Sequence, residues 1–246
     1  MYLKQEWFLF PTHFVPKTFK NITTETFIPT EKIALESKIF KSKNDKAPTI
    51  ILFAGNAQNA ISVGKLIWNA FGREVNIATM NYRGYGGSNG VPSEENLHAD
   101  ALTFTRYVKA QYPQRKLYIM GISLGTAVAS YVASKEDIEG LILMTPFDNM
   151  LNVSRSKYPY LPIKYMLKHH FNSKKHLRNA TIPVSIIRAG KDEVIPARYT
   201  ESLVNSLQNV TYDATLENMS HTQILTEPHF KKLKEVLKNS LESLAQ

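Results

Sequence analysis

Cysteine is absent from this sequence of 246 residues. Its absence excludes disulfide bonds, cysteine-ligated zinc, iron–sulfur clusters and every mechanism that depends on a thiolate. A chain without disulfide bonds suits a reducing compartment, where such bonds do not persist.

Long apolar runs are absent as well. No segment approaches the ~18 consecutive apolar residues that a membrane-spanning helix needs. The apolar cluster at residues 7–10 is too short for the core of a signal peptide, and Pro11 follows it immediately. We therefore expect a soluble protein in the cytoplasm.

Acidic side chains are missing from the stretch 149–191. The whole chain has 30 Lys and Arg against 21 Asp and Glu, which gives a formal net charge of +9. Such a surplus of positive charge favours an acidic partner. We expect that partner to be an anionic membrane or an anionic substrate, and we do not expect nucleic acid. The stretch holds the cations Arg155, Lys157, Lys164, Lys168, Lys174, Lys175, Arg178, Arg188 and Lys191.

Internal repeats, low-complexity tracts and linkers rich in Gly, Ser or Pro are absent, so we expect a single domain over residues 1–246. From about residue 48, short β-branched apolar runs alternate with longer helical patterns. This alternation is typical of parallel strands covered by helices on both faces. It predicts strands at 49–54, 76–81, 116–120, 140–144 and 183–188, a weaker strand at 210–216, and helices at 59–71, 93–112, 124–134, 197–207 and 227–243.

The N-terminal region lacks this alternation, and residues 24–28 and 33–40 predict an antiparallel hairpin at the edge of the sheet. The predicted fold class is therefore α/β, with a doubly wound, mostly parallel sheet and an N-terminal antiparallel edge. A segment at about 147–181 interrupts the alternation and is longer than an ordinary crossover. Inserted segments commonly lie over the carboxyl edge of such sheets, so we expect a small basic cap there.

The cap segment also contains a short helical pattern with one apolar face. An apolar face beside lysines suits contact with an anionic lipid surface or with a long acyl chain that has an acidic head. In the alternative, this face packs on the domain and the lysines remain in solvent. The face consists of Ile163, Met166, Leu167 and Phe171.

The strongest signal in the sequence is G-I-S-L-G at residues 121–125. It follows an apolar run and opens a helical pattern rich in small residues. A strand, G-x-S-x-G and a helix in this order form a nucleophile elbow, whose sharp turn exposes the serine hydroxyl at the top of the sheet. The N–H groups of the helix N-terminus then face the developing negative charge. We therefore predict that Ser123 is a catalytic nucleophile.

A nucleophilic serine needs a general base and an acid that orients the base, and in this motif the acid and then the histidine follow the serine along the chain. Asp192 follows the strand predicted at 183–188, and His221 follows the next predicted strand in the same way. Asp148 is the competing acid and His229 the competing base. Of the other histidines, His176 lies near the level of the acid, His169 and His170 lie in the basic cap, and His13 and His98 are interpreted as structural.

An oxyanion hole requires two N–H donors. The N–H of Leu124, the residue after the nucleophile, is the first predicted donor. The second should come from the loop after the first central strand, where the residue after Gly55 is the usual donor. We therefore predict Asn56, with Ala57 as the alternative.

These features resemble the α/β-hydrolase superfamily, and most closely its branch of serine-aminopeptidase-like hydrolases, which includes protein depalmitoylases and many bacterial esterases. The resemblance implies the α/β-hydrolase fold, a serine mechanism and the triad Ser123–Asp192–His221. It covers nearly the whole chain and is carried by F-L-F-P at 8–11, N-Y-R-G-Y-G-G-S-N-G at 81–90, P-S-E-E-N-L at 92–97, the elbow, G-L-I-L-M-T-P-F-D-N-M at 140–150, F-N-S at 171–173 and G-K-D-E-V-I-P at 190–196.

The chain departs from this branch at the oxyanion loop. The branch usually has His-Gly-Asn-Ala where this chain has A-G-N-A at residues 54–57. The histidine normally shapes the loop, whereas the donors are backbone N–H groups, so Ala54 leaves the donors in place. The glycine-rich run 83–90 is not a dinucleotide loop, because Asn89 stands where G-x-G-x-x-G requires its third glycine.

We predict a serine hydrolase that cleaves carboxylic ester or thioester bonds of a small or lipid-like acyl substrate and that needs no metal and no organic cofactor. A serine aminopeptidase is one alternative, although a cap without carboxylates is poorly equipped to bind a substrate amine. A non-catalytic protein that docks on a membrane through its cap is the other alternative.

Overall fold

In the computed structural model, which describes residues 9–16, 22–113, 115–226 and 230–246, eight strands form one sheet in the order β1-β2-β4-β3-β5-β6-β7-β8. Strand β1 pairs antiparallel with β2, and β2 pairs antiparallel with β4, whereas the other neighbours are parallel. The strands are β1 (Glu25–Thr30), β2 (Ile33–Phe40), β3 (Thr49–Phe53), β4 (Asn76–Met80), β5 (Leu117–Ile122), β6 (Gly140–Met144), β7 (Val184–Lys191) and β8 (Val210–Ser220).

Helices connect the parallel strands and cover both faces of the sheet. In addition there are 3-10 turns at Thr12–Phe14 and Gln223–Leu225. The helices are α1 (Ala60–Ala70), α2 (Glu94–Gln111), α3 (Leu124–Ala133), α4 (Met150–Lys157), α5 (Ile163–Met166), α6 (Ser173–His176), α7 (Ala197–Val204) and α8 (Phe230–Leu244).

The core lies in two apolar layers, one on each face of the sheet. Alternate side chains of a strand point to opposite faces, so Ile50 and Leu52 of β3 pack on α1 and α8, whereas Ile51 and Phe53 pack on α2 and α3. All four side chains are fully buried. An apolar residue at every position is what a strand covered on both faces requires.

The fold class predicted from the sequence is confirmed, including the antiparallel edge formed by β1 and β2. The largest difference concerns β8, which continues to Ser220 and not to residue 216. In this strand exposed side chains alternate with partly buried ones as far as Leu216, because β8 is an edge strand. Its polar residues therefore resemble a loop in the sequence.

The cap segment forms three short helices, α4, α5 and α6. The apolar face predicted for it packs on the domain: Ile163 and Phe171 are buried, and Met166 and Leu167 are partly buried. The carboxylate of Glu94, at the start of α2, accepts hydrogen bonds from the N–H groups of His170 (2.6 Å) and Phe171 (2.7 Å). This carboxylate fastens the end of the cap to the body of the protein.

None of the helices among the described residues is both long enough and apolar enough to cross a membrane.

One buried ion pair joins the loop after β4 to α2. Arg83 donates from Nε and Nη2 to the two carboxylate oxygens of Asp100, both at 2.7 Å. The side chain of Asp100 is only 3% exposed and that of Arg83 is 13% exposed. A paired geometry of this kind fixes the loop, because a buried carboxylate without its partner costs far more than an exposed one.

We expect Arg83→Met to lower the free energy of unfolding by about 3–5 kcal/mol, because the buried carboxylate of Asp100 would lose its partner. Urea denaturation measures this loss. Lys232→Met is the matched control, since Lys232 and Glu235 are both more than half exposed. An exposed pair contributes less than about 1 kcal/mol. Equal losses in the two variants would contradict the structural role of the Arg83–Asp100 pair.

Candidate active site

Ser123 lies in the turn between β5 and α3 with φ 50° and ψ −117°, which is unusual for a residue other than glycine. Backbone hydrogen bonds hold this turn. The N–H of Ser123 donates to the carbonyl of Met144 (2.9 Å), and its carbonyl accepts from the N–H (2.9 Å) and the hydroxyl (2.6 Å) of Thr126. The predicted elbow is therefore present as a strained and well-anchored turn.

The two glycines of the elbow lie against backbone atoms. A Cβ on Gly125 would overlap the carbonyl oxygen of Phe53, and a Cβ on Gly121 would overlap the carbonyl oxygen of Gly125. Backbone atoms cannot move aside as a flexible side chain can. Glycine at both positions is therefore what allows α3 to start directly beside β3, with Ser123 at its N-terminus.

His221 lies between Ser123 and Asp192. Its Nε2 is 2.8 Å from Ser123 Oγ, and its Nδ1 is 2.8 Å from Asp192 Oδ2 and 3.0 Å from Asp192 Oδ1. The side chains of His221 and Asp192 are largely buried. The structure thus brings together the three side chains that the sequence predicted as nucleophile, base and acid.

Backbone contacts fix the side chain of Asp192 and the main chain of His221. Asp192 Oδ1 accepts hydrogen bonds from the N–H groups of Val194 (2.9 Å) and Ile195 (2.7 Å). The N–H of His221 donates to the carboxylate of Glu193 (2.9 Å). Each of the two loops therefore orients the residue that it carries, and Glu193 ties the loops to one another.

The competing residues lie elsewhere. The carboxylate of Asp148 accepts from the N–H of Asn149 and from the side-chain amide of Asn152, both at 2.7 Å, and so holds the start of α4. His176 packs edge-on against Tyr131 in the cap region. His229 lies outside the described residues. Within the described residues, Asp192 is the only carboxylate with a hydrogen bond to the ring of His221.

The predicted oxyanion loop lies beside the elbow. Leu124 is the first residue of α3, so its N–H is among those that have no intrahelical acceptor. The side chain of Asn56 is fixed by Tyr85 Oη, which donates to its Oδ1 (2.5 Å), and by its own Nδ2, which donates to the carbonyl of Leu9 (2.7 Å). Ala57, the alternative donor, has a left-handed φ of 57°.

Two tyrosines that the sequence analysis did not identify support this loop. Tyr82 Oη donates to the carbonyl of Ala54 (2.9 Å), and Tyr85 holds Asn56 as described. Burial raises the pKa of both phenols, so they stay protonated and remain donors at neutral pH. Both tyrosines follow the carboxyl end of β4, and this position is the sequence signal that could have identified them as residues near the site. Their hydroxyl groups hold a loop in which Ala54 stands where the resembled branch usually has a histidine.

The glycine-rich run 83–90 forms hydrogen bonds to β2 and to the start of its own loop. The N–H of Gly87 donates to the carboxylate of Glu36 (2.8 Å), and the Ser88 hydroxyl donates to the carbonyl of Asn81 (2.8 Å). The side chain of Asn89 accepts from the N–H of Ala34 (2.9 Å). These contacts fasten the run to β2, in agreement with its interpretation as a structural loop.

Comparison with known proteins finds similarity to hydrolases. The profile of a family described as serine aminopeptidase, S33, matches residues 44–154. An uncharacterized protein of Mycobacterium tuberculosis is 34% identical over 160 residues, which are 64% of this chain and 57% of that protein. Lysophosphatidylserine lipase ABHD12 of Danio rerio is 30% identical over 186 residues, which are 66% of this chain and 48% of that lipase. The chain therefore spans about half of the length of these relatives.

Solved structures show the same fold. Est1E from Butyrivibrio proteoclasticus, solved with bound ferulic acid, superposes on this chain with a TM-score of 0.71 at 17% sequence identity. The superposition covers 90% of this chain and 100% of the Est1E chain. At this level of identity the likeness establishes the fold alone. It agrees with the strand order and with the helices on both faces of the sheet.

The expected cytoplasmic location is wrong. A relative in Saccharomyces cerevisiae is named an uncharacterized membrane protein, and it is 32% identical over 187 residues, which are 72% of this chain and 65% of that protein. The expectation was based on the lack of a long apolar run. The absence of such a run from this sequence does not determine where the protein resides.

We expect Gly125→Ala to lower the melting temperature and to reduce hydrolysis of a p-nitrophenyl ester by about 100-fold or more, because α3 would have to move and displacement of a reacting group by about 1 Å can cost that much. Gly140→Ala is the matched control. The three atoms nearest to a Cβ there all belong to the side chain of Leu244, at 3.1–3.2 Å, and none of them is a backbone atom. Equal activity in the two variants would contradict the proposed role of close packing at the elbow.

Proposed function

We propose that the chain, which has the fold of the α/β-hydrolases and resembles them in sequence, is a serine hydrolase that cleaves carboxylic ester or thioester bonds of lipid-like acyl substrates. One observation carries the proposal above all others. His221 lies within hydrogen-bond distance of Ser123 Oγ through one ring nitrogen and of Asp192 through the other. This is the arrangement in which a serine acts as a nucleophile.

In the first half of the reaction, Ser123 Oγ attacks the acyl carbonyl carbon while His221 Nε2 takes the hydroxyl proton. The carbonyl oxygen then carries negative charge, which the N–H groups of Leu124 and Asn56 stabilise. Collapse of this intermediate breaks the bond to the leaving alcohol or thiol. His221 returns the proton to that leaving group, and the acyl group remains on Ser123.

In the second half, His221 removes a proton from water, and the resulting hydroxide attacks the acyl-enzyme. The bond between the acyl carbon and Ser123 Oγ breaks, the acid is released and the serine regains its proton from His221. Asp192 orients the imidazole and stabilises its charged form in both halves. No step requires a metal or an organic cofactor.

The substrate class is inferred from two sources. The solved relative from Pyrococcus furiosus is named an esterase and the relative from Danio rerio is named a lipase, which favours esters and lipid-like substrates. The family description instead names an aminopeptidase. Residues 149–191 contain no carboxylate that could bind a substrate amine, so the peptidase is the weaker candidate. Comparison of p-nitrophenyl esters with amino-acid p-nitroanilides separates the two.

We expect a fluorophosphonate probe to label the protein and Ser123→Ala to abolish this labelling, because the probe reacts with an activated serine. Loss of the nucleophile should lower kcat for a p-nitrophenyl ester by about 10⁴–10⁶. Ser220→Ala is the control, since its hydroxyl contacts only Thr222 (3.5 Å) and the N–H of Gln223 (3.4 Å) among the described residues. Ester turnover at the wild-type rate in purified Ser123→Ala would contradict the proposal.

The same assay identifies the acid. Asp192→Asn should lower kcat by up to about 10⁴, the loss seen when the acid of a serine triad is changed to its amide. Asp148→Asn should retain most of the activity if its melting temperature is unchanged. The opposite pattern would assign the acid to Asp148.

We further propose that the cap brings the enzyme to an anionic membrane through a region that we call the cap tip, residues 157–168. Four of its large side chains are exposed: Tyr160 is 97% exposed and Tyr165 is 80% exposed, and Tyr158 and Leu161 are also exposed. Amphipathic aromatic rings favour the interface between membrane and water.

Lysines accompany these rings. Lys157 Nζ lies 5.8 Å from the centre of the Tyr158 ring, and Lys164 Nζ lies 5.9 Å from that of Tyr165. Each cation near an anionic bilayer contributes about 1 kcal/mol. The cap tip thus combines the two features of a peripheral membrane site, although with exposed tyrosines in place of the apolar face that the sequence suggested.

We expect the protein to co-sediment with vesicles that contain phosphatidylserine and much less with vesicles of phosphatidylcholine alone, and to be released by high salt. Reversing Lys157 and Lys164 to Glu should weaken binding more than about tenfold, since each charge near the surface contributes about 1 kcal/mol. Reversing Lys231 and Lys232 near the start of α8 is the matched control. Equal binding of both double variants would contradict a role for the cap tip.

A further inference from the structure

Three potential metal ligands meet where the cap packs on α2. A carboxylate oxygen of Glu94 and one ring nitrogen each of His98 and His176 all lie within 4.8 Å of one another. Glu94 and His98 are four residues apart on α2, so their side chains share one face of that helix. His176 ends α6 and approaches from the cap. None of the three belongs to the proposed catalytic triad.

His98 has the features of a ligand that lacks its partner. The residue is only 8% exposed, and within the part of the chain that the structure describes, its Nε2 has no hydrogen-bond partner. Its ring stacks on Tyr131 with the centroids 4.1 Å apart and meets the edge of Phe171. A buried polar atom without a partner costs about 1–3 kcal/mol, so such an atom calls for an explanation.

The carboxylate of Glu94 is held in place by the cap. The N–H groups of His170 and Phe171 each donate to one of its oxygens, and each oxygen retains a further lone pair that can bind a cation. Hydrogen bonds of this kind are the usual means by which a protein orients a metal-binding carboxylate. The side chain of Glu94 is therefore already ordered, and binding of a cation would cost little further side-chain entropy.

Burial favours the uncharged form of both histidines. Burial, together with the nearby His176, lowers the pKa of His98 to about 3. Burial, together with Lys175 and Lys135, also lowers the pKa of His176.

We propose that Glu94, His98 and His176 bind a divalent transition-metal ion, with Zn²⁺ as the best match, and that the ion fastens the cap to α2. Two imidazole nitrogens and one carboxylate oxygen are a ligand set that Zn²⁺ accepts, and a water molecule would complete its tetrahedral coordination. Ligand distances of about 2.0–2.2 Å require a small closure of the present cluster. The role is structural, because the ion joins two elements that carry no triad residue.

The test is a titration of the metal-free protein with Zn²⁺, measured by calorimetry and by the melting temperature. Co²⁺ serves as a second probe, because the strength of its visible absorption reports tetrahedral coordination. We expect one equivalent of Zn²⁺ to bind and the melting temperature to rise. His176→Gln should weaken binding by at least tenfold and remove the rise. Glu94→Gln should have the same effect on binding. His98 is left unchanged because its substitution in the core could prevent folding.

Two control variants separate this site from other histidines. His170→Gln changes an exposed histidine beside the cluster and should bind one equivalent like the wild type, as should His221→Gln, which removes the proposed general base. Undiminished Zn²⁺ affinity in His176→Gln, loss of binding only in His221→Gln, or no binding by the wild-type protein would overturn the proposal. Each result is independent of ester hydrolysis, so failure of this site leaves the proposed function untouched.

Discussion

The close contact between α3 and the end of β3 is the constraint on which the candidate site depends. Gly125 lies against the carbonyl of Phe53, and only a residue without a Cβ fits there. This contact lets the helix begin directly after Ser123 and holds that residue at a left-handed φ of 50°. Because the strain is local, it must be balanced by the surrounding core, and the fully buried strands β3 and β5 provide that support.

The central part of the fold was predictable from the sequence because its residues face a single kind of environment. Every position of β3 is buried, so an unbroken apolar run marks it unambiguously. Strand β8 was only partly predictable, because an edge strand with alternating exposure has the composition of a loop. Three short helices lie in the predicted cap segment, but the exposure of Tyr160 and the burial of Phe171 depend on tertiary packing, which periodicity does not contain.

For the site, the sequence predicted which residues meet, because the carboxyl ends of parallel strands share one edge of the sheet. It could not rank Asp192 against Asp148 by geometry. The two are distinguished by what each carboxylate contacts: Asp192 faces His221, whereas Asp148 holds Asn152. The support given to Ala54 by Tyr82 was also hidden, since a hydrogen bond between a phenol and a distant carbonyl leaves no local pattern.

Because β8 lies at the edge of the sheet, the candidate site can lose its geometry before the whole protein unfolds. Ser123 follows a central strand, whereas His221 follows a strand at the edge of the sheet that the described residues form, and this strand pairs with β7. Local opening requires less free energy at an edge than in the centre. Detachment of the end of β8 would carry the imidazole away while leaving the elbow intact. With His221 as the proposed general base, inactivation would precede global unfolding, and gentle heating should produce an inactive protein that still retains most of its sheet.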